Sequence, residues 1–244
     1  MTPPEFAPPG HVPPGMPPPD WWYDDRRQVG LDFDDAAQVA TYDLRQGGDA
    51  AADRALLEEL GVTARTAMAD IGCGTGLLAC EAARLARSVR AIDVSAPMLR
   101  AAQRRAQAQG LENLSFEHAG FLGFAARGDL DLITTKFALH HLPDFWKAMA
   151  FARMRQALAP GGRIFVKDVV FNCRPAEAAR MVEDWIDWMT RETGYSRQET
   201  AAHVREEHST FGWILARMIG EAGFRLLRQT HDGVYATFLA EVVD

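Results

Sequence analysis

Met68-Ala69-Asp70-Ile71-Gly72-Cys73-Gly74-Thr75-Gly76-Leu77-Leu78 is the stretch on which the reading of this chain turns. A short apolar run carries an acid near its end, three glycines follow at alternate positions, and a helical apolar pattern begins at once. A strand that passes through a glycine-rich turn into a helix brings backbone N–H groups close to a small ligand. Gly72 permits dihedrals that a side chain forbids, and Gly74 and Gly76 remove Cβ atoms that would block close approach. The spacing is G-x-G-x-G. A dinucleotide fingerprint, G-x-G-x-x-G, needs its third glycine where Leu77 stands.

Around this stretch the pattern alternates. Residues 66–71 read as a strand and 76–87 as a helix. Residues 88–94 form the next strand, with Asp93 near its end; Ser95 caps a helix that reaches Gln109 and stops at Gly110. Further strands are expected at 113–118, 129–135 and 163–171, with a helix over 143–158 ended by Pro160-Gly161-Gly162. Such alternation implies a parallel sheet covered on both faces, with the strand C-termini, and hence the ligand, on one edge. Ahead of this core, 34–46 and 50–60 read as helices, the second capped by Asp49. Beyond it, helices are expected over 175–191 and 199–208, then over 211–222 with Ser209 or Thr210 as cap. Runs at 224–231 and 234–243 close the chain around the hairpin signal Asp232-Gly233.

Residues 1–19 hold nine of the 13 prolines and read as a disordered, extended arm. Residues 20–244 then form one domain. Trp21-Trp22-Tyr23, next to acids, either pack the arm onto the body or roof a pocket. With 48% hydrophobic residues the chain can fill a sizeable core, and its net charge of −7 argues against nucleic acid or an anionic membrane as partner. Its three cysteines have no metal or CxxC spacing. With no membrane-length apolar run and no secretion signal, a cytoplasmic protein is expected.

In four places the chain resembles the class I S-adenosylmethionine-dependent methyltransferases. They are Asp70–Gly76, Ala91–Leu99 with Asp93 closing the second strand, Asp129–Ile133 through Phe137–Asp144, and Leu158–Arg163. Their order and the closing hairpin make the resemblance specific over 34–244. It implies an α/β, Rossmann-like sheet of seven strands in the order 3-2-1-4-5-7-6, strand seven antiparallel, with helices on both faces and a helical lid insertion over 171–210. It also implies S-adenosyl-L-methionine as cofactor, S-adenosyl-L-homocysteine as product, and a small-molecule methyl acceptor, by analogy with the branch whose style 137–144 shares. A monomer or homodimer is expected.

On that footing each part of the cofactor has expected neighbours. The ribose diol needs an anionic acceptor, and Asp93, 17 residues beyond Gly76, fits. The methionyl group lies along Gly72, Cys73, Gly74 and Gly76, with Asp70 on its ammonium side and Lys136 near by. Val94 and Met98 pack the adenine, although Met98 also suits an ordinary core. Many relatives carry an acid after strand three that meets the adenine amino group. Here Glu117-His118-Ala119-Gly120-Phe121-Leu122 offers no Asp, so backbone groups around Gly120 and Phe121 are expected to read the base.

A methyl group on a sulfonium is already activated, so the protein's work is positioning, and a base is needed only for a protonated nucleophile. His140 and His141, at the ligand edge after strand four, are the candidate bases or structural residues; Asp168 is either a structural partner or catalytic. Tyr23, Trp185, Trp188, Tyr195, His208 and Trp213 are either acceptor contacts or the lid's own core, and the first five are carried as substrate-binding candidates. No metal is expected. Two other readings stay open: a non-catalytic S-adenosylmethionine-binding sensor or partner subunit, and an NAD-dependent oxidoreductase, the latter weakened by Leu77 and the hairpin.

Overall fold

The apolar run before the glycines forms β1 (Ala67–Ile71), every residue of it buried. A strand covered on both faces must be apolar on both, and alternation divides it. Ala67, Ala69 and Ile71 join one core and Met68 the other. The computed structural model describes residues 19–26 and 48–243. The proline-rich arm up to residue 18 and the helix expected over 34–46 lie outside the described residues.

Before β1 stands α1 (Ala50–Glu59), capped by Asp49, which accepts the N–H groups of Ala51 and Ala52. The glycine turn leads into α2 (Leu77–Ala83), which stops four residues short of the expected end. Then come β2 (Ser88–Asp93) and α3 (Ala96–Ala108), with Ser95 accepting the Met98 N–H as its cap. β3 (Leu114–His118), β4 (Leu130–Lys136) and α4 (Asp144–Ala157) follow. Pro160-Gly161-Gly162, expected as a stop, falls inside a long β5 (Leu158–Phe171), where the register with β4 shifts.

After β5 the chain forms α5 (Ala178–Glu192) and α6 (Arg197–Glu206). Ser196 and Glu199 make a reciprocal capping box at the start of α6. A two-residue strand, β6 (Thr210–Phe211), pairs in parallel with the end of β5. The helix α7 (Gly212–Glu221) has no side-chain cap. This corrects the expected cap: the Thr210 hydroxyl instead donates to Asp144 at 2.9 Å. β7 (Phe224–Asp232) and β8 (Tyr235–Val242) form the hairpin, turning at Gly233 with φ +58°.

The sheet runs β3-β2-β1-β4-β5-β8-β7, with β6 at the side of β5. β1 to β5 are parallel, and β8 enters antiparallel between β5 and β7. This is the expected order, with β8 in the place of the seventh strand and β6 added. One core layer packs α1, α2 and α3 on the sheet through Leu57, Leu78 and Leu99; the other packs α4 and α7 through Phe151, Met154, Leu215 and Ile219. A third cluster joins Val169, Phe171 and Val234 to Trp185 of α5, at the C-terminal end of β5.

Candidate functional site

The glycine turn lies where β1 ends between β2 and β4. Gly72, Gly74 and Gly76 have φ of +73°, +53° and +78°, in the left-handed region that favours glycine. A Cβ at Gly72 would sit 2.3 Å from the Ala138 Cβ, and one at Gly76 2.7 Å from the Ala102 Cβ. The missing atom at Gly76 therefore lets α3 approach the turn; it does not clear room for a ligand, as the spacing suggested. Cys73 is buried in the core, and burial pushes its thiol well above its ordinary value, so only its backbone is available to a ligand.

Asp93 ties the turn to the neighbouring strand. One carboxylate oxygen accepts the Gly74 N–H at 2.8 Å and the other the Ser95 N–H at 2.8 Å. Burial pushes its carboxyl up, and those two N–H groups pull it back. Each oxygen keeps a lone pair for a further donor. Asp70 is 3% exposed and accepts the Thr134 hydroxyl at 2.8 Å. Burial raises its carboxyl to about 7, against the pull of Thr134 and Lys136. Lys136 points its ammonium at Asp53 of α1, itself buried, and the two form an ion pair. Asp53, Asp70 and Asp93 thus outnumber one lysine, whose charge is already matched, so this crevice favours a cation. The pairing with Asp53 was not read from the sequence, because the partners lie 83 residues apart.

At the outer end Val94 meets Gly120, Met98 is buried, and the Phe121 ring lies in the core. A carboxylate is present here after all. Asp25, from the segment before α1, accepts the Leu122 N–H at 2.8 Å. A Cβ on Gly120 would lie 2.2 Å from one Asp25 oxygen and 2.6 Å from its carboxyl carbon. Burial raises the Asp25 carboxyl, against the pull of the Leu122 N–H. The preceding aromatics hold the segment down: Trp22 packs edge-on to Trp146 at 5.2 Å between ring centres, and Tyr23 stacks on it at 5.8 Å.

The two histidines after β4 do different work. His140 is 6% exposed, and both its ring nitrogens are held by acids: Nδ1 by Asp168 and Nε2 by Glu207 at 3.1 Å. Burial alone would lower its pKa, but the two carboxylates raise it to about 9. Glu207 also meets His203 Nδ1 at 2.5 Å. His141 is pushed down to about 3 by burial and by the charge of His140. His140 therefore has no nitrogen left for a substrate, and His141 is too weak a base to take a proton near neutrality. His140, His203 and Glu207 are the one group among the described residues whose donor atoms could surround a metal ion, and in this structure they bond to one another. His208 contributes backbone: its N–H donates to the His140 carbonyl at 2.8 Å, and its carbonyl accepts from the buried Lys147. This network spans residues 140 to 208 and has no local signature.

Beyond β5 lies a cavity of about 830 Å3, lined by Asn172 and Cys173, by Glu177, Arg180, Met181, Asp184, Trp185 and Trp188, and by Asp232 to Tyr235 of the hairpin. Of the aromatic candidates, Trp185 and Trp188 line it; Tyr23, Tyr195, His208 and Trp213 do not. Phe137 links it to the glycine turn. It leaves β4 at φ +53°, a left-handed conformation that is costly for a side chain, and sits edge-on to Tyr235 at 5.7 Å between ring centres. Its neighbour Ala138 covers Gly72.

The family profile of the methyltransferase domain matches residues 68–162. An uncharacterised methyltransferase of Geobacillus kaustophilus is 30% identical over 157 residues, which are 64% of this chain and 67% of that protein. A ubiquinone biosynthesis O-methyltransferase of Cupriavidus pinatubonensis is 34% identical over 107 residues, 43% of this chain and 42% of that one, so the match spans less than half of the relative. Among solved structures, a SAM-dependent methyltransferase from Aquifex aeolicus superposes with a TM-score of 0.62 at 18% identity, covering 86% of this chain and 99% of its own. No helix among the described residues is long and apolar enough to cross a membrane.

Proposed function

Because this chain belongs to the class I S-adenosyl-L-methionine-dependent methyltransferases, we propose that it methylates a small acceptor with an apolar body and a neutral or cationic head, held in the cavity beyond β5. The observation that carries this reading is the cavity itself. Its volume suits a small molecule, and Met181, Trp185, Trp188 and Tyr235 give it an apolar, aromatic wall. Glu177, Asp184 and Asp232 against the single Arg180 disfavour an anion. The name of the ubiquinone relatives supports a small acceptor in the same way.

The residues of the crevice suit the cofactor. When bound, it supplies a methyl group on a sulfonium, ready for in-line displacement. Asp93 receives the ribose hydroxyls on the lone pairs its backbone bonds leave open. Asp70 balances the ammonium of the methionyl group, and the acidic crevice favours the sulfonium charge. Lys136, paired with Asp53, acts on the ligand through Asp70's environment. With His140 clamped and His141 held neutral, the chain's contribution is to place an acceptor that arrives as a free nucleophile and to keep water out.

The test is turnover of labelled cofactor against paired panels of amines, phenols and their carboxylated counterparts. The expected result is transfer to neutral or cationic members, with Trp188→Ala raising KM for the acceptor at an unchanged cofactor Kd. Transfer confined to carboxylated molecules or to macromolecules overturns the assignment of the cavity.

A further inference from the structure

Building on this cofactor reading, we infer that Asp25 is the acceptor for the adenine amino group, an acid delivered from the segment before α1 to fill the place left by the bare Gly120. Three observations carry it. First, a ribose on Asp93 projects its base outward over Val94 towards residues 119–122, since Asp93, Val94 and Gly120 are neighbours at the ends of β2 and β3. Second, the Asp25 carboxylate stands where a side chain on Gly120 would stand: one of its oxygens is 2.2 Å, and its carboxyl carbon 2.6 Å, from the position of that Cβ. Third, the carboxylate is fixed there. The Leu122 N–H donates to it at 2.8 Å, and the Trp22 and Tyr23 rings anchor the segment on Trp146.

Adenine offers an amino donor beside a ring-nitrogen acceptor at its outer edge. Asp25 supplies the acceptor for the amino group on the lone pairs that the Leu122 N–H leaves open. Hypoxanthine, in which a carbonyl replaces the amino group, would set oxygen against carboxylate. The site therefore selects an aminopurine over an oxopurine, and it does so with a residue 97 positions ahead of the Leu122 to which it bonds.

The experiment is calorimetry with S-adenosylhomocysteine and S-inosylhomocysteine on the full chain, comparing wild type, Asp25→Asn, Asp25→Ala, and Asp25→Ala with Gly120→Asp. Wild type is expected to prefer the adenine ligand by about tenfold or more, the scale of a hydrogen bond to a charged group. Asp25→Ala loses that preference, Asp25→Asn narrows or reverses it, and the double variant regains it: the carboxylate introduced at position 120 enters the space that Asp25 vacates, with the Val94 methyl, 2.8 Å from the new Cβ, turning aside. The inference falls if the Asp25 variants weaken both ligands equally, which marks a purely structural anchor. It falls too if they tighten S-adenosylhomocysteine, which marks a plug, or if the double variant does not recover. Wild type that binds neither ligand overturns the cofactor reading itself; wild type that binds S-adenosylhomocysteine while the variants match it overturns only the role of Asp25.

Discussion

Asp168→Asn removes the charge on which the buried histidine depends. In the native chain Asp168 accepts the His140 backbone N–H at 3.0 Å, the His140 Nδ1–H, and the Val169 N–H at 2.7 Å. An asparagine keeps one acceptor oxygen and turns an N–H2 towards the remaining donors. The two side chains are 3% and 7% exposed, so water screens little of the loss. Breaking a buried pair in this way costs about 3–5 kcal/mol, which in a chain of this size lowers Tm by about 6–20 °C. The pH dependence gives a second, independent measure. His140 titrates at about 9 in the fold, above its ordinary value of 6.5. Its contribution is therefore fully present below 6.5 and fades as pH rises through 9, a span equivalent to about 3 kcal/mol. Asp168 and Glu207 are held below their ordinary values, so their share is present above the usual carboxylate range and is lost as pH falls towards their lowered values. Urea unfolding at pH 6.5 and 9.5 should show wild type losing stability with alkali and Asp168→Asn losing much less. A variant within about 2 °C of wild type, or one with the same alkaline decline, would refute the reasoning.

Asp93→Ala should weaken S-adenosylhomocysteine binding by about 1–3 kcal/mol in calorimetry, since it removes a charged acceptor and frees the Gly74 and Ser95 N–H groups. Asp70, raised to about 7 by burial, would have to ionise to balance an ammonium, so cofactor affinity should fall as pH drops through 7, and Asp70→Asn should flatten that profile. Gly76→Ala should destabilise the fold by about 1–3 kcal/mol in thermal melts, because its φ of +78° is strained for alanine and its new methyl would press on Ala102 at 2.7 Å.

What could be read in the sequence was what local pattern encodes. The strands, the Ser95 and Asp49 caps, the glycine turn and the acid closing β2 each announce themselves within a dozen residues, and the strand order came with the family resemblance they carry. What escaped depends on contacts across the chain. Asp25 has no pattern linking it to Gly120. Asp53 sits in an ordinary amphipathic helix, yet it takes the charge of Lys136. The clamp on His140 draws on Asp168, in β5, and Glu207, just past α6, and nothing about a His-His pair reveals which ring is locked. Thr210 has the chemistry of a cap but was recruited by β6 and Asp144 instead, a tertiary contact overriding a local preference. The capping box at Ser196 and Glu199 has a legible S-x-x-E spacing, and it starts α6 at Arg197, two residues ahead of the helix expected over 199–208.

The segment carrying α5 and α6 leaves β5 at one end, and at the other it is bonded through Glu207, His208 and Thr210 to His140, Lys147 and Asp144, with β6 laid against β5. Both feet of this arch stand on the same floor, the end of β5 and the residues that follow β4. On the flank of the arch Trp188 is 42% exposed, edge-on to Tyr235 beside the Gly233 turn, and lines the cavity. Of the cavity's aromatic wall, the Trp188 indole is thus a group that can change rotamer without any movement of the backbone that carries it.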